Sequence, residues 1–168
     1  MKKPSLIVAA VLAAMATSAA VAATATSTFQ VLITVTKACS VTAGAASNID
    51  FGSVASTATA LSASNNISVT CSKSTPYNIG LLPSNNNTTG AGVMSPVVAG
   101  PDTIAYQLRS VSATGPIWGN TATPVAVGNG VAGTGTGAAQ SIPVWATVAS
   151  VNVTPGAYLD TVTVQVNY

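Results

Sequence analysis

The sequence predicts an all-β sandwich or barrel, and three observations carry that prediction. Short stretches in which apolar and polar residues alternate recur from residue 28 to the end. That is the period of an extended chain with one buried face. Turn formers separate these stretches, with 14 Gly and 9 Pro in 168 residues. After residue 23 no segment carries a sustained helical stripe with capping signals. Many short strands between turn signals mark a sandwich or barrel. No linker and no internal repeat divides the chain, so a single domain is expected.

The first 22 residues stand outside that domain. Lys2 and Lys3 precede an apolar run, Leu6 to Ala16, and Ala20-Val21-Ala22 is a small-x-small cleavage signal. This is the order of a secretory signal peptide, with cleavage after Ala22 or Ala23. A membrane anchor over the same stretch is the competing reading. The segment is mostly Ala, contains Thr17 and Ser18, and has no charge on its far side, which favours cleavage. No membrane span then remains in the mature chain.

The next stretch, Thr28 to Thr36, places Phe29, Val31, Ile33 and Val35 at every second position. A helical template catches three apolar residues of four there, but β-branched enrichment selects a strand. That strand either pairs within its own chain or completes the sheet of another copy; alternation alone does not choose. Further strands follow with Ile67, Val69 and Cys71 inward, then Tyr77, Ile79 and Leu81, then Ile104, Tyr106 and Leu108. Ile142, Val144, Ala146 and Val148 come next, with Pro143 predicting an edge or a bulge. One last strand is predicted from Tyr158 to Tyr168, with Tyr158, Val162, Val164, Val166 and Tyr168 on one face. Ser84–Gly90 and Gly128–Gly137 read as loops, and Pro155-Gly156 as a turn.

Composition excludes several functions. Beyond the signal, Lys37, Lys73 and Arg109 balance Asp50, Asp102 and Asp160, so the mature chain is neutral. Charged residues are 5% of the whole, against roughly 25% in ordinary domains. No basic patch exists to meet phosphates, which argues against nucleic acid as a partner. The absence of His removes the usual nucleophilic triads. Asp102 and Asp160 read as solvated turn residues, and no cofactor is called for. Gly128-Asn129-Gly130-Val131-Ala132-Gly133 matches a dinucleotide pattern, but no helix pattern follows it, so it reads as chance. The Asn-x-Ser/Thr triplets at Asn66, Asn86, Asn87 and Asn152 are expected often in this composition. Cys39 and Cys71, the only cysteines, predict a structural disulfide in an exported chain, since a metal site lacks partners.

Several motifs in order carry a resemblance. They are Thr36-Lys37-Ala38-Cys39-Ser40-Val41, Asp50-Phe51-Gly52, Ile67 to Cys71, Ile104 to Leu108, Trp118-Gly119 and the closing Pro155-Gly156-Ala157-Tyr158-Leu159-Asp160-Thr161-Val162-Thr163-Val164-Gln165-Val166-Asn167-Tyr168. Together they resemble the spore coat protein U domain family, and within it the rod subunits of archaic chaperone–usher pili. The resemblance covers essentially the whole mature chain. It implies an incomplete immunoglobulin-like β-sandwich, completed by the N-terminal donor strand of a neighbouring subunit. By that resemblance residues 1–22 are the signal, 23–37 the extension with its donor strand, and 38–168 the sandwich. Phe29, Val31, Ile33 and Val35 would fill the next subunit's groove, lined by the C-terminal strand with Tyr158, Val162, Val164, Val166 and Tyr168. The implied partners are other copies of the chain, a periplasmic chaperone, an outer-membrane usher, and minor or tip pilins. The implied destination is a surface pilus reached through the periplasm. A competing reading from another class is a secreted monomeric carbohydrate-binding sandwich, with Trp118 and Trp145 as a stacking platform.

Overall fold

The computed structural model describes residues 23–168, so the signal-peptide reading of 1–22 lies outside the described residues. Residues 23–34 form a segment of their own without strand or helix, and residues 35–168 form the body. Nine strands and one short 3-10 turn make up the described body. They are β1 (Cys39–Thr42), β2 (Thr59–Cys71), β3 (Pro76–Pro83), β4 (Ala91–Pro96), β5 (Ile104–Ser110), β6 (Val131–Thr134), β7 (Ala139–Ser150), β8 (Tyr158–Leu159) and β9 (Val162–Asn167), with the turn at Ala45–Ser47.

Two antiparallel sheets result. One has six strands in the order β1-β2-β7-β5-β4-β8, the other three in the order β6-β3-β9. The architecture is an immunoglobulin-like sandwich. Its core is built from the inward sets that alternation predicts: Ile67, Val69 and Cys71; Tyr77, Ile79 and Leu81; Ile104, Tyr106 and Leu108; Val144, Ala146 and Val148, all buried. Cys39 and Cys71 are bonded and also face each other in the β1–β2 register. The bond closes a loop of 32 positions, contributing roughly 3–4 kcal/mol by constraining the unfolded chain.

Three expectations change, and a fourth, the edge position of Pro143, holds locally. The stretch 28–36 carries no strand in the single chain, because a strand is defined by a ladder partner. The last strand is two: β8 pairs with β4 in the large sheet, whereas β9 pairs with β3 in the small one. The chain changes sheets at Asp160-Thr161. The glycine-rich stretch 128–137 contains β6, which pairs with β3 from Ile79↔Val131 to Pro76↔Thr134. Pro143 lies in the interior strand β7, at a point where only β2 is its neighbour, since the β5 pairing stops at Ser110↔Val144. The missing N–H of Pro143 therefore faces no third strand.

Candidate functional site

Among the described residues β9 has one strand partner, β3, and β1 has one, β2. Between these edges lies an open groove of about 610 Å³ with an apolar floor and mixed walls. One wall is the segment after β1, from Ala43 to Phe51; the other is the chain from Tyr158 to Val164. Ile67, Leu81, Leu108, Val144 and Ala146 form the floor. A second hollow of about 460 Å³ shares Ile49, Asp50, Phe51, Met94 and Tyr158 with the first, and continues over Leu61, Ile104, Val148 and Val151. The two hollows adjoin through these shared residues.

The residues around them are half-satisfied. Leu61, Phe51, Met94, Tyr158, Val162 and Val164 pack against the core yet stay partly exposed. An apolar trough beside an edge strand leaves both side chains and backbone groups to water. Of the predicted groove residues, the structure brings Tyr158, Val162 and Val164 to the lining. Val166 packs against the core outside that lining, and Tyr168 lies under the Lys37 ammonium, 5.8 Å from Nζ to the ring centroid.

Two polar arrangements shape the trough, and alternation revealed neither. Asn65 occupies an inward position of β2 between Ala63 and Ile67, and its Nδ2 donates to Ala46 O (3.0 Å) and Asn48 O (2.7 Å). That side chain pins the first wall to the large sheet. Its signal in sequence is a lone amide on an otherwise apolar face. The second arrangement corrects the reading of Asp160 as a solvated turn residue. Asp160 lines the groove, accepting the Tyr106 hydroxyl (2.7 Å) at Oδ2 and the Thr161 N–H (2.7 Å) at Oδ1. Burial first, and then the bond to Asp160 and its charge, hold the Tyr106 phenol above its ordinary range. Tyr106 is therefore a fixed donor at neutral pH. The other groove carboxylate, Asp50, accepts the Gly52 N–H (2.7 Å).

The donor-candidate side chains are open: Phe29 is 89% exposed, Val31 87%, Ile33 88% and Val35 82%. The base of that segment is held. Ala38 N–H donates to Ser72 Oγ (3.0 Å), Ser72 N–H donates to Ala38 O (2.9 Å), and the disulfide follows at Cys39. The two tryptophans do not form a platform. Trp118 is 0% exposed, its indole N–H donating to Ile79 O (2.9 Å), while Trp145 is half-buried across the sheet from Arg109. Asp102 accepts from the Thr154 hydroxyl and N–H on the exposed surface, and these bonds lower its carboxyl pKa. Among the described residues no group of three or more His, Cys, Asp or Glu converges, and no helix is long and apolar enough to cross a membrane.

Residues 25–165 match the model of the Spore Coat Protein U domain. The chain belongs to that family. Spore Coat Protein U domains are thus the setting in which the trough is to be understood. Among solved structures, the chain is similar to one from the CsuC–CsuE chaperone–tip adhesion subunit pre-assembly complex of the archaic chaperone–usher Csu pili of Acinetobacter baumannii. That likeness has 22% identity and a TM-score of 0.54, over 80% of this chain and 40% of the other. It is also similar to a chain from a chaperone–tip adhesin complex of CFA/I fimbriae biogenesis, with 12% identity and a TM-score of 0.45, over 71% and 38%. This Spore Coat Protein U chain therefore spans about 40% of the length of either structural relative. No curated protein matches it in sequence.

Proposed function

We propose that this chain is a structural subunit of an archaic chaperone–usher pilus. It polymerises by donor-strand complementation and serves surface attachment and biofilm formation. In this reading residues 1–22 are removed on export, 23–37 are the extension that carries the donor strand, and 38–168 are the acceptor sandwich. Before assembly a periplasmic chaperone fills the trough with a strand of its own, and an outer-membrane usher is where that strand is exchanged. Minor or tip pilins are further partners.

One observation carries the reading: a groove of about 610 Å³ with an apolar floor lies beside a β9 edge that has no second strand partner among the described residues, in a chain whose own extension has an unburied alternating face. Seating Phe29, Val31, Ile33 and Val35 in a neighbour's groove contributes roughly 6–12 kcal/mol as an upper estimate, before ordering costs. Ladder hydrogen bonds along β9 add to this and cover an open edge. Family membership supports the reading as well.

The test is a charge on the donor face. Val31→Asp or Ile33→Asp should leave the chain secreted to the periplasm but abolish fibres in electron micrographs and the oligomer ladder on SDS gels run without boiling. Fibres of normal abundance from either variant refute the donor role.

A further inference from the structure

Resting on the reading above, we infer that the donor strand runs antiparallel to β9 in one register, fixed by Lys37 of the incoming copy meeting Asp160 of the acceptor. Asp160, Val162 and Val164 line the groove, Val166 packs against the core beyond them, and Tyr168 continues the same alternation in sequence. The donor face continues beyond Val35 to Lys37, the one charged residue between 23 and 38. The groove lining holds two carboxylates, Asp50 and Asp160, and neither Lys nor Arg.

A strand laid over Asp160 removes that carboxylate from water. Its present partners, the Tyr106 hydroxyl and the Thr161 N–H, supply hydrogen bonds but no positive charge. An apolar residue placed opposite it leaves the charge uncompensated, which is costly. One antiparallel register avoids this. It sets Phe29 opposite Tyr168, Val31 opposite Val166, Ile33 opposite Val164, Val35 opposite Val162, and Lys37 opposite Asp160. Aromatic meets aromatic, β-branched meets β-branched, and cation meets anion, the pairings that stabilise adjacent strands. Shifting the antiparallel strand by two residues one way puts Val35 on Asp160, and the other way moves Lys37 off Asp160 onto the apolar Val162. Of the parallel seatings, one puts Phe29 there and another puts only the Ser27 hydroxyl there, leaving Lys37 past the end of β9. In the single chain Lys37 rests on its own Tyr168. Assembly exchanges that contact for Asp160 of one neighbour, while the other neighbour's Phe29 takes the place on Tyr168.

Cysteine pairs in the full-length chain test the register. Val31→Cys with Val166→Cys, and Val35→Cys with Val162→Cys, should each give fibres that oxidise to a ladder surviving boiling in SDS without reductant. Val31→Cys with Val164→Cys should give none. A ladder from that shifted pair, or fibres without a ladder from either expected pair, overturns the register while leaving the donor reading intact. Should the cysteines impair assembly, Lys37→Gln and Asp160→Asn provide a second readout, since Asn keeps an acceptor for Tyr106. Each variant should speed fibre dissociation in warm SDS about 2–5-fold, and the double variant no more than the stronger single one. Multiplying effects, or no effect, overturn the pairing.

Discussion

The two ends of this sandwich use the same kinds of residue and reach different outcomes. At one end Trp118 bridges the sheets: its backbone N–H donates to Leu108 O (3.0 Å) in the large sheet, and its indole N–H to Ile79 O (2.9 Å) in the small one. Leu81 N–H donates to Gly119 O (2.9 Å) alongside, and Ile79 and Trp118 are both fully buried. At the other end Val162, Val164, Leu61 and Met94 have comparable apolar surface but line a trough open to water. What differs is a strand. Where the chain itself spans both sheets the core closes, and where only an edge remains the core stays open to water.

The sharpest way to break this contrast is to cut one side chain at each end. Trp118→Ala should destabilise the mature chain by about 3–5 kcal/mol, since it leaves a cavity and an unpaired Ile79 carbonyl. Val164→Ala should cost the lone chain only about 1–2 kcal/mol, because its side chain is partly solvated already. Urea unfolding of the two variants measures the difference, and equal losses would erase the distinction between closed and open ends. The disulfide ties edge strand β1 to β2. Replacing both Cys39 and Cys71 with Ser should cost about 3–4 kcal/mol in the same assay, moving the urea midpoint without removing the groove.

A smaller change sharpens the open end. Asn65→Ala removes two hydrogen bonds to the Ala46 and Asn48 carbonyls, worth about 1–3 kcal/mol together. The loss should be local: faster protease cleavage between residues 43 and 51, with near-normal protection of β2 and β7. Uniform loss of protection across the sheets would mean that Asn65 supports the whole sandwich rather than one wall.

Much of this fold was legible because alternation survives wherever one face of a strand is buried. The inward sets of β2, β3, β5 and β7 fall at the predicted parity. β4 and β6 were hidden because their inward positions include glycine. A Cβ on Gly92 would lie 2.0 Å from the Tyr106 ring, and one on Gly133 would lie 2.3 Å from the Tyr77 ring. Those aromatics fill space that an apolar side chain on the strand would otherwise mark. The break between β8 and β9 was hidden for another reason: the chain changes sheets at Asp160-Thr161 without changing parity, so Tyr158, Val162 and Val164 still read as one strand. Asn65 and the Tyr106–Asp160 bond escaped because scoring faces by hydrophobicity passes over the polar groups that hold a groove open.

Tyr106 offers the finest probe of the open end, through pH. Its phenol is held above the ordinary tyrosine range in the folded chain, chiefly by burial and then by Asp160. In the unfolded chain it loses its proton near about pH 10. A folded value above the unfolded one makes its contribution whole below about pH 10, and that contribution is lost as pH climbs toward the folded value. Tyr106→Phe should therefore lower stability at pH 7 by about 1–2 kcal/mol, the bond to the carboxylate being gone, and should flatten the alkaline decline above pH 10. Tyr77, raised by burial, and Tyr158, raised by burial and then by the charge of Asp102, would leave a residual slope in the variant. Urea midpoints at neutral pH and at two alkaline values measure both effects. An alkaline slope that Tyr106→Phe leaves unchanged would detach the Asp160 bond from the stability of the groove. It would also leave Tyr77 and Tyr158, whose phenols are raised as well, as the tyrosines that titrate with unfolding.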